Sequence, residues 1–204
     1  MPTFSSDNAD IHYQTFGDAN HPALVFSNSL GTKHSMWQAQ IDAFAQDYFV
    51  ICYDTRGHGQ SSAPQGPYTL AQLGQDVVHL LDHLNVKTAA FCGISMGGLT
   101  GQWLAIHAAD RFNAIVVCNT AAKIGQAQAW LDRAALVREQ GLAPIASTAA
   151  GRWFTENFVQ AHPEVVAELS ANLGSGSAEG YASCCEALAE ADVREELKAI
   201  KVPV

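Results

Sequence analysis

The chain lacks any apolar run long enough to cross a membrane. Residues 1–5 also lack the basic region followed by an apolar core that marks a secretory signal. Both absences favour a soluble protein that is not exported, and we expect a cytoplasmic location.

Basic residues are few. The sequence has 11 Lys and Arg against 20 Asp and Glu, which gives a formal net charge of -9. Because the basic residues form neither a cluster nor a stripe, we expect no nucleic acid and no anionic membrane as a partner. A small anionic substrate remains compatible with this charge, provided that individual arginine or lysine side chains lie at its site.

The sequence also lacks a Cys-x-x-Cys pair, and its five cysteines are odd in number. Cys52, Cys92 and Cys118 fall in predicted buried strands, so we interpret them as reduced structural thiols. His79 and His83 have helical spacing, but their helix offers no third ligand. We therefore expect no metal site.

Apolar segments alternate with helical patterns over the first part of the chain. Four apolar segments predict buried strands, and an alternating segment predicts an antiparallel edge strand. Strands that alternate with helices are typical of an α/β fold with a mostly parallel sheet and helices on both faces. The buried strands are predicted at residues 22–26, 48–53, 88–92 and 114–118, and the edge strand at residues 10–16.

The alternation stops after Asn119, and residues 123–191 have helical spacing throughout. We interpret residues 1–122 as the core and residues 123–191 as an inserted helical cap. Residues 192–204 are expected to return to the core, with a helix over 193–200 and the first residues of a strand at 202–204.

The most informative segment is residues 93–97, Gly-Ile-Ser-Met-Gly, between a predicted strand and a predicted helix. A Gly-x-Ser-x-Gly segment in that position is typical of a nucleophile elbow, where the serine occupies a sharp, strained turn above the sheet. The N-terminus of the following helix favours negative charge that develops there. A glycine-rich turn with a solvent-facing serine is the alternative.

Three linked segments resemble the α/β-hydrolase family over essentially the whole chain. They are the elbow at Ser95, the Ser-Asn-Ser-Leu-Gly loop at residues 27–31, and residues 54–61, Asp-Thr-Arg-Gly-His-Gly-Gln-Ser. The loop at 27–31, together with Arg-Trp-Phe-Thr at 152–155 and residues 181–188, is similar to the 3-oxoadipate enol-lactone hydrolases of aromatic catabolism.

The resemblance implies roles for individual residues. Ser95 would be the nucleophile, and the backbone N–H groups of Met96 and Leu30 would form the oxyanion hole. The family order of serine, acid and then histidine excludes His58 as the base, so residues 54–61 are expected to be structural. The acid and the histidine of the triad are expected beyond Val204, and we interpret the chain as truncated, unable by itself to turn over esters at an enzymatic rate.

The favoured function is a serine hydrolase that opens a small enol-lactone bearing a carboxylate, without a cofactor. The substrate carboxylate needs a cation, and Arg133 beside Trp130 and Trp153 in the cap is the candidate substrate-binding group. A general carboxylesterase, a C–C bond hydrolase or a perhydrolase on the same fold remains open. An inactive remnant or a binding module is the alternative of another class, and the oligomeric state stays open.

Overall fold

Six strands form one sheet in the computed structural model, which describes residues 2–204. Its order is β1-β2-β4-β3-β5-β6, and the pairs from β4 to β6 are parallel, whereas β2 is antiparallel to both β1 and β4. The predicted mostly parallel sheet is therefore present. The strands are β1 (Thr3–Ser6), β2 (Ala9–Phe16), β3 (Ala23–Ser27), β4 (Phe49–Tyr53), β5 (Ala89–Ile94) and β6 (Phe112–Cys118).

The prediction that residues 10–16 form an edge strand is wrong in one respect. The segment is antiparallel, as expected, but β1 lies outside it and is the edge. Strand β1 is four residues long with a single apolar side chain, Phe4, which pairs with Ile11. So short a segment carries no readable periodicity, since one apolar residue cannot define an alternation.

Three longer helices pack on the sheet of the core. Helix α2 begins at a capping box, in which the Thr69 hydroxyl accepts from the Gln72 N–H while the Gln72 side chain accepts from the Thr69 N–H. Helix α3 begins directly after Ser95. The helices are α1 (Gln38–Phe44), α2 (Leu70–His83) and α3 (Met96–His107).

Helices occupy the chain between β6 and Ala191. Helices α4 and α9 pack against one another, and an apolar cluster joins them to Leu30, Met96 and Leu99 of the core. These helices thus cover the loops that surround Ser95. They are α4 (Ala127–Gln140), α5 (Ala143–Ala146), α6 (Ala149–Trp153), α7 (Glu156–Ala161), α8 (Pro163–Gly174) and α9 (Ala178–Glu190).

The end of the described chain differs from its prediction. Residues 193–200 contain only one 3-10 turn, Leu197–Ala199, in place of the expected helix. The Val193 N–H donates to the Ala122 carbonyl oxygen (2.9 Å), which fixes the start of this segment against the core. No strand is assigned at residues 202–204, although the Pro203 carbonyl oxygen accepts from Ile115 N–H of β6 (2.9 Å).

None of the helices formed by residues 2–204 combines the length and the apolar character needed to span a membrane.

Candidate active site

Ser95 occupies a strained turn between β5 and α3. Its φ and ψ are 55° and -114°, a region that residues with a side chain rarely adopt. A Cβ at position 93 would collide with the Gly97 carbonyl oxygen, and a Cβ at position 97 would collide with the Ser27 carbonyl oxygen. Both glycines are therefore required for the strand and the helix to meet at this angle.

Three hydrogen bonds to two neighbouring segments hold this turn. The Ser95 N–H donates to the Cys118 carbonyl oxygen (2.9 Å), and the Thr120 hydroxyl donates to the Ser95 carbonyl oxygen (2.7 Å). The Gly97 N–H donates to the Asn28 carbonyl oxygen (3.0 Å). The end of β6 and the loop after β3 thus fix the backbone of the elbow. The Ser95 hydroxyl forms no hydrogen bond with any described residue.

The N–H groups of Leu30 and Met96 are the two candidate oxyanion donors. Both residues are buried, and neither N–H donates to another group within residues 2–204. Buried backbone donors without a partner are rare in proteins. This pair is accordingly available to an oxygen atom of a ligand.

The loop that carries Leu30 is anchored through Asn28, whose side chain is completely buried. Its amide nitrogen donates to the Tyr53 carbonyl oxygen (2.8 Å), while its amide oxygen accepts from the Trp37 indole N–H (3.0 Å). Because the side chain is bonded at both ends, the loop is held against β4 and the start of α1.

Residues 54–61 form the buried hydrogen bonds that the sequence predicts for a structural loop. Asp54 accepts from His34 Nδ1 (2.8 Å) and lies 3.1 Å from His12 Nδ1. Burial alone would raise the pKa of Asp54, but bonds from His34 and the Gln60 N–H lower it below its usual value. Arg56 forms a bidentate ion pair with Asp76 (2.7 and 2.6 Å).

The group of His12, His34 and Asp54 is the one cluster among the described residues whose ligand atoms lie close enough to hold a metal ion, within 4.8 Å of each other. Both imidazole Nδ1 atoms are within hydrogen-bond distance of a carboxylate oxygen of Asp54. These direct bonds give Asp54 its structural role. His79 and His83 have separate partners, the hydroxyls of Ser6 and Tyr13 respectively.

Arg133 and Trp130 lie together on α4. The Arg133 guanidinium carbon is 4.8 Å from the centre of the Trp130 ring, whose indole N–H donates to the Ile124 carbonyl oxygen (2.6 Å). Within residues 2–204, no carboxylate forms an ion pair with Arg133. Tyr181 lies nearby: burial raises the pKa of its hydroxyl to about 12, although the Arg133 guanidinium opposes that rise.

Trp153 ends α6 and is half-buried against the same apolar cluster as Trp130. The structure therefore places Arg133 against Trp130, while Trp153 packs along the same large apolar cluster, and within residues 2–204 no cation–π contact joins Arg133 to Trp153. Its neighbour Arg152 is exposed and donates to the Ile145 carbonyl oxygen (3.0 Å).

A cavity of about 140 Å³ opens between the Leu30 loop and helices α8 and α9. Gly31, His58, Leu173 and Tyr181 line it, whereas Trp130 and Trp153 do not. A second, shallower groove of about 310 Å³ lies on the sheet beside Val116, on the surface that also carries Cys92.

All five cysteines are free, but Cys92 and Cys118 are only half-buried, contrary to their expected full burial.

No histidine among residues 2–204 hydrogen-bonds with Ser95. His107 lies on the surface, 3.3 Å from Glu196, and exposed His162 packs against the Phe158 ring. The contact that sequence reasoning missed is made by His58, whose Nε2 accepts from the Gly31 N–H (2.9 Å). Nothing in the local sequence pairs these residues, because they lie on different loops.

Comparison with known proteins agrees with this geometry. A family model described as the alpha/beta hydrolase fold matches residues 22–196. The chain is 66% identical over 202 residues to a protein named 3-oxoadipate enol-lactonase 2 from Acinetobacter baylyi, covering 99% of this chain and 76% of that protein. Another protein of that organism, named 3-oxoadipate enol-lactonase 1, is 48% identical over 95% of this chain and 72% of its own length.

A solved structure is also similar to this chain. The crystal structure of the enol-lactonase from Burkholderia xenovorans superposes with a TM-score of 0.96 at 45% identity, covering 99% of this chain and 78% of that one.

Proposed function

Because the chain belongs to the α/β-hydrolase family, we propose that it is a serine hydrolase that opens 3-oxoadipate enol-lactone in the breakdown of aromatic compounds. The observation that supports this most strongly is the 66% identity to a relative that bears the name of that activity, together with the strained serine at the elbow. The substrate is a small molecule with a carboxylate side chain.

In the proposed reaction, the Ser95 hydroxyl attacks the lactone carbonyl carbon. The carbonyl oxygen becomes negatively charged, and the N–H groups of Leu30 and Met96 stabilise it. Collapse of this intermediate breaks the ring C–O bond and leaves an enolate on the acyl chain, which stays attached to Ser95. The enolate takes a proton at carbon and becomes a ketone. Water then hydrolyses the acyl-enzyme and frees Ser95.

A serine hydroxyl needs a base that takes its proton. We assign this role to none of the histidines described above, because each has contacts away from Ser95 or lies on the surface. In this proposal the acid and the histidine lie beyond Val204, in the order that the motif implies.

Arg133 is the proposed partner of the substrate carboxylate, with Trp130 and Trp153 as the apolar walls beside it. Its lack of a carboxylate partner among residues 2–204 supports this role, because a half-buried guanidinium without an anion favours an anionic ligand. Helices α4 to α9 would then act as a cap that selects the substrate.

The proposed location is the cytoplasm, supported by five free thiols. The net charge of -9 supports the proposal that the protein has no nucleic-acid partner.

A comparison of substrates tests the proposal, in a chain extended past Val204 so that the proposed acid and histidine are present. We expect kcat/KM for 3-oxoadipate enol-lactone to exceed that for a neutral aryl ester, such as 4-nitrophenyl acetate, by at least about 100-fold. The aryl ester lacks the carboxylate and so loses the contacts proposed for that group. A preference for the aryl ester would assign the protein to the general carboxylesterases instead.

A further inference from the structure

His58 is buried in the loop between β4 and α2 and has a hydrogen-bond partner at each ring nitrogen. Its Nε2 lies 2.9 Å from the Gly31 backbone nitrogen, and its Nδ1 lies 3.2 Å from the Arg56 carbonyl oxygen. A backbone N–H can only donate and a carbonyl oxygen can only accept. These partners therefore require a neutral ring with its proton on Nδ1.

The bond from Gly31 acts on the loop that carries Leu30, since the two residues are adjacent. Gly31 has a φ of +81°, and a Cβ there would lie 2.6 Å from a methyl carbon of Leu173. The chain therefore turns sharply at Gly31. Because a peptide group is rigid, fixing the Gly31 nitrogen also fixes the orientation of the Leu30–Gly31 peptide next to the Leu30 N–H.

The position of His58 is itself tightly determined. Gly57 packs directly against Gly180 of α9, so the loop cannot shift toward that helix. The His58 ring lies 6.4 Å from the Tyr181 ring, and the Cys184 thiol lies 3.8 Å from the Arg56 carbonyl oxygen that His58 also contacts.

The titratable groups near His58 belong to three segments. Asp54 lies on the same loop, Lys33 follows the Leu30 loop and lines the same cavity, and Tyr181 and Cys184 belong to α9. Burial lowers the pKa of His58, although Asp54 and the bond to Arg56 oppose this. The neutral ring that the two hydrogen bonds require is thus the form that prevails near neutral pH.

We propose that His58 is a positioning residue of the oxyanion hole, which in its neutral form holds the Leu30 loop through the Gly31 N–H. This inference rests on the proposed function, because it takes the Leu30 N–H as an oxyanion donor. His58 touches no reacting atom in this role. Protonation of Nε2 would place two donors against one another and release Gly31.

Two variants separate the acceptor role from mere filling of space. His58→Leu removes the acceptor, whereas His58→Gln places an amide oxygen near the former Nε2 and does not titrate. In a chain extended past Val204 to include the proposed acid and histidine, we expect His58→Leu to lower kcat for the enol-lactone by about 10- to 100-fold. KM should change less than about threefold, because only part of the effect of a complete oxyanion donor is lost. We expect His58→Gln to regain most of kcat, and His21→Leu, at an exposed histidine, to match the parent protein.

A direct measurement does not depend on catalysis. In ¹⁵N-labelled full chain, an N–H···N bond gives a scalar coupling across the hydrogen bond between Gly31 N and His58 Nε2. We expect this coupling and a proton on Nδ1 at pH 7.5. On acidification, the Gly31 amide signal should shift together with the His58 ring in the parent protein, and should lose that shift in His58→Gln.

These readouts distinguish the two proposals. A protonated Nε2 at pH 7.5, an absent coupling, or a His58→Leu variant with the kcat of the parent would overturn the positioning role, whatever the substrate. If the coupling is present and the chain extended past Val204 does not hydrolyse the enol-lactone, the proposed function fails, and with it the claim that the held loop serves an oxyanion. If His58→Leu does not fold, the coupling in the parent and the kcat of His58→Gln still decide the question.

Discussion

At the scale of single residues, Arg133 is the proposed partner of the substrate carboxylate. Its guanidinium lies over the Trp130 ring and pairs with no carboxylate within residues 2–204. In contrast, Arg138 on the same helix is saturated by Glu179 and Glu186. Only Arg133 of these two is free to receive an anion.

Replacing Arg133 with methionine should therefore weaken binding of the enol-lactone. We expect KM to rise about 10- to 100-fold, corresponding to loss of a charge-assisted hydrogen bond, while kcat/KM for a neutral aryl ester stays within about threefold. Steady-state kinetics with both substrates check this, with Arg194→Met at an exposed arginine as the control. An equal loss for both substrates would show that Arg133 supports the fold instead.

The residues of the elbow could be predicted from the sequence, but their supporting contacts could not. Gly93, Ser95 and Gly97 form a local motif because one turn imposes all three. The contacts of Asp54 with His12 and His34 join residues up to 42 positions apart. Such pairings depend on the strand order, which no local pattern contains.

At the scale of elements, a close backbone approach joins the loop before α2 to helix α9. A Cβ at Gly180 would collide with the backbone of Gly57, and the reverse is also true. This contact fixes α9, and hence the helical segment, against the loop that carries His58.

Gly180→Ala should consequently destabilise the protein. We expect the free energy of unfolding to fall by about 1–3 kcal/mol, since overpacking against backbone leaves little room to adjust. Urea denaturation measures this change. Gly151→Ala is the matched control, because a Cβ there meets nothing within 4 Å, and it should leave stability unchanged or raise it by up to about 1 kcal/mol. Equal midpoints for the two variants would contradict the close contact.

The elements were predictable where their patterns were long. The four buried strands are apolar over five or six residues each, and the structure contains strands at those places. The sequence missed β1, which has one apolar residue, and it indicated a helix at residues 193–200 where contacts with the core leave a single 3-10 turn. Tertiary contacts decide the structure of such short segments.

At the scale of the whole molecule, buried titratable groups make stability depend on pH. Burial lowers the pKa of His58, so below the ordinary histidine pKa the unfolded chain binds a proton that the folded one does not. Hydrogen bonds lower the pKa of Asp54 despite its burial, so its contribution is present above the ordinary aspartate pKa and is lost as the pH falls through its folded value. For both groups, therefore, lowering the pH lowers the free energy of unfolding.

We therefore expect the free energy of unfolding to decrease as the pH falls from about 7.5 to 5, mainly through histidine protonation in the unfolded chain. Urea denaturation at several pH values measures the slope. His58→Gln should flatten it, because glutamine does not titrate. A stability that stays constant or increases over this range would contradict the buried, neutral His58.

The central claim is that Ser95 is the nucleophile of an enol-lactone hydrolase. It is tested most directly by turnover of 3-oxoadipate enol-lactone, with and without the Ser95 hydroxyl, in a chain extended past Val204 so that the proposed acid and histidine are present. We predict that Ser95→Ala lowers kcat by at least about 10,000-fold, while its urea midpoint stays close to that of the parent protein. Ser147→Ala, in the helical segment, should keep full activity. A Ser95→Ala protein that retains a tenth of the parent kcat would contradict the claim.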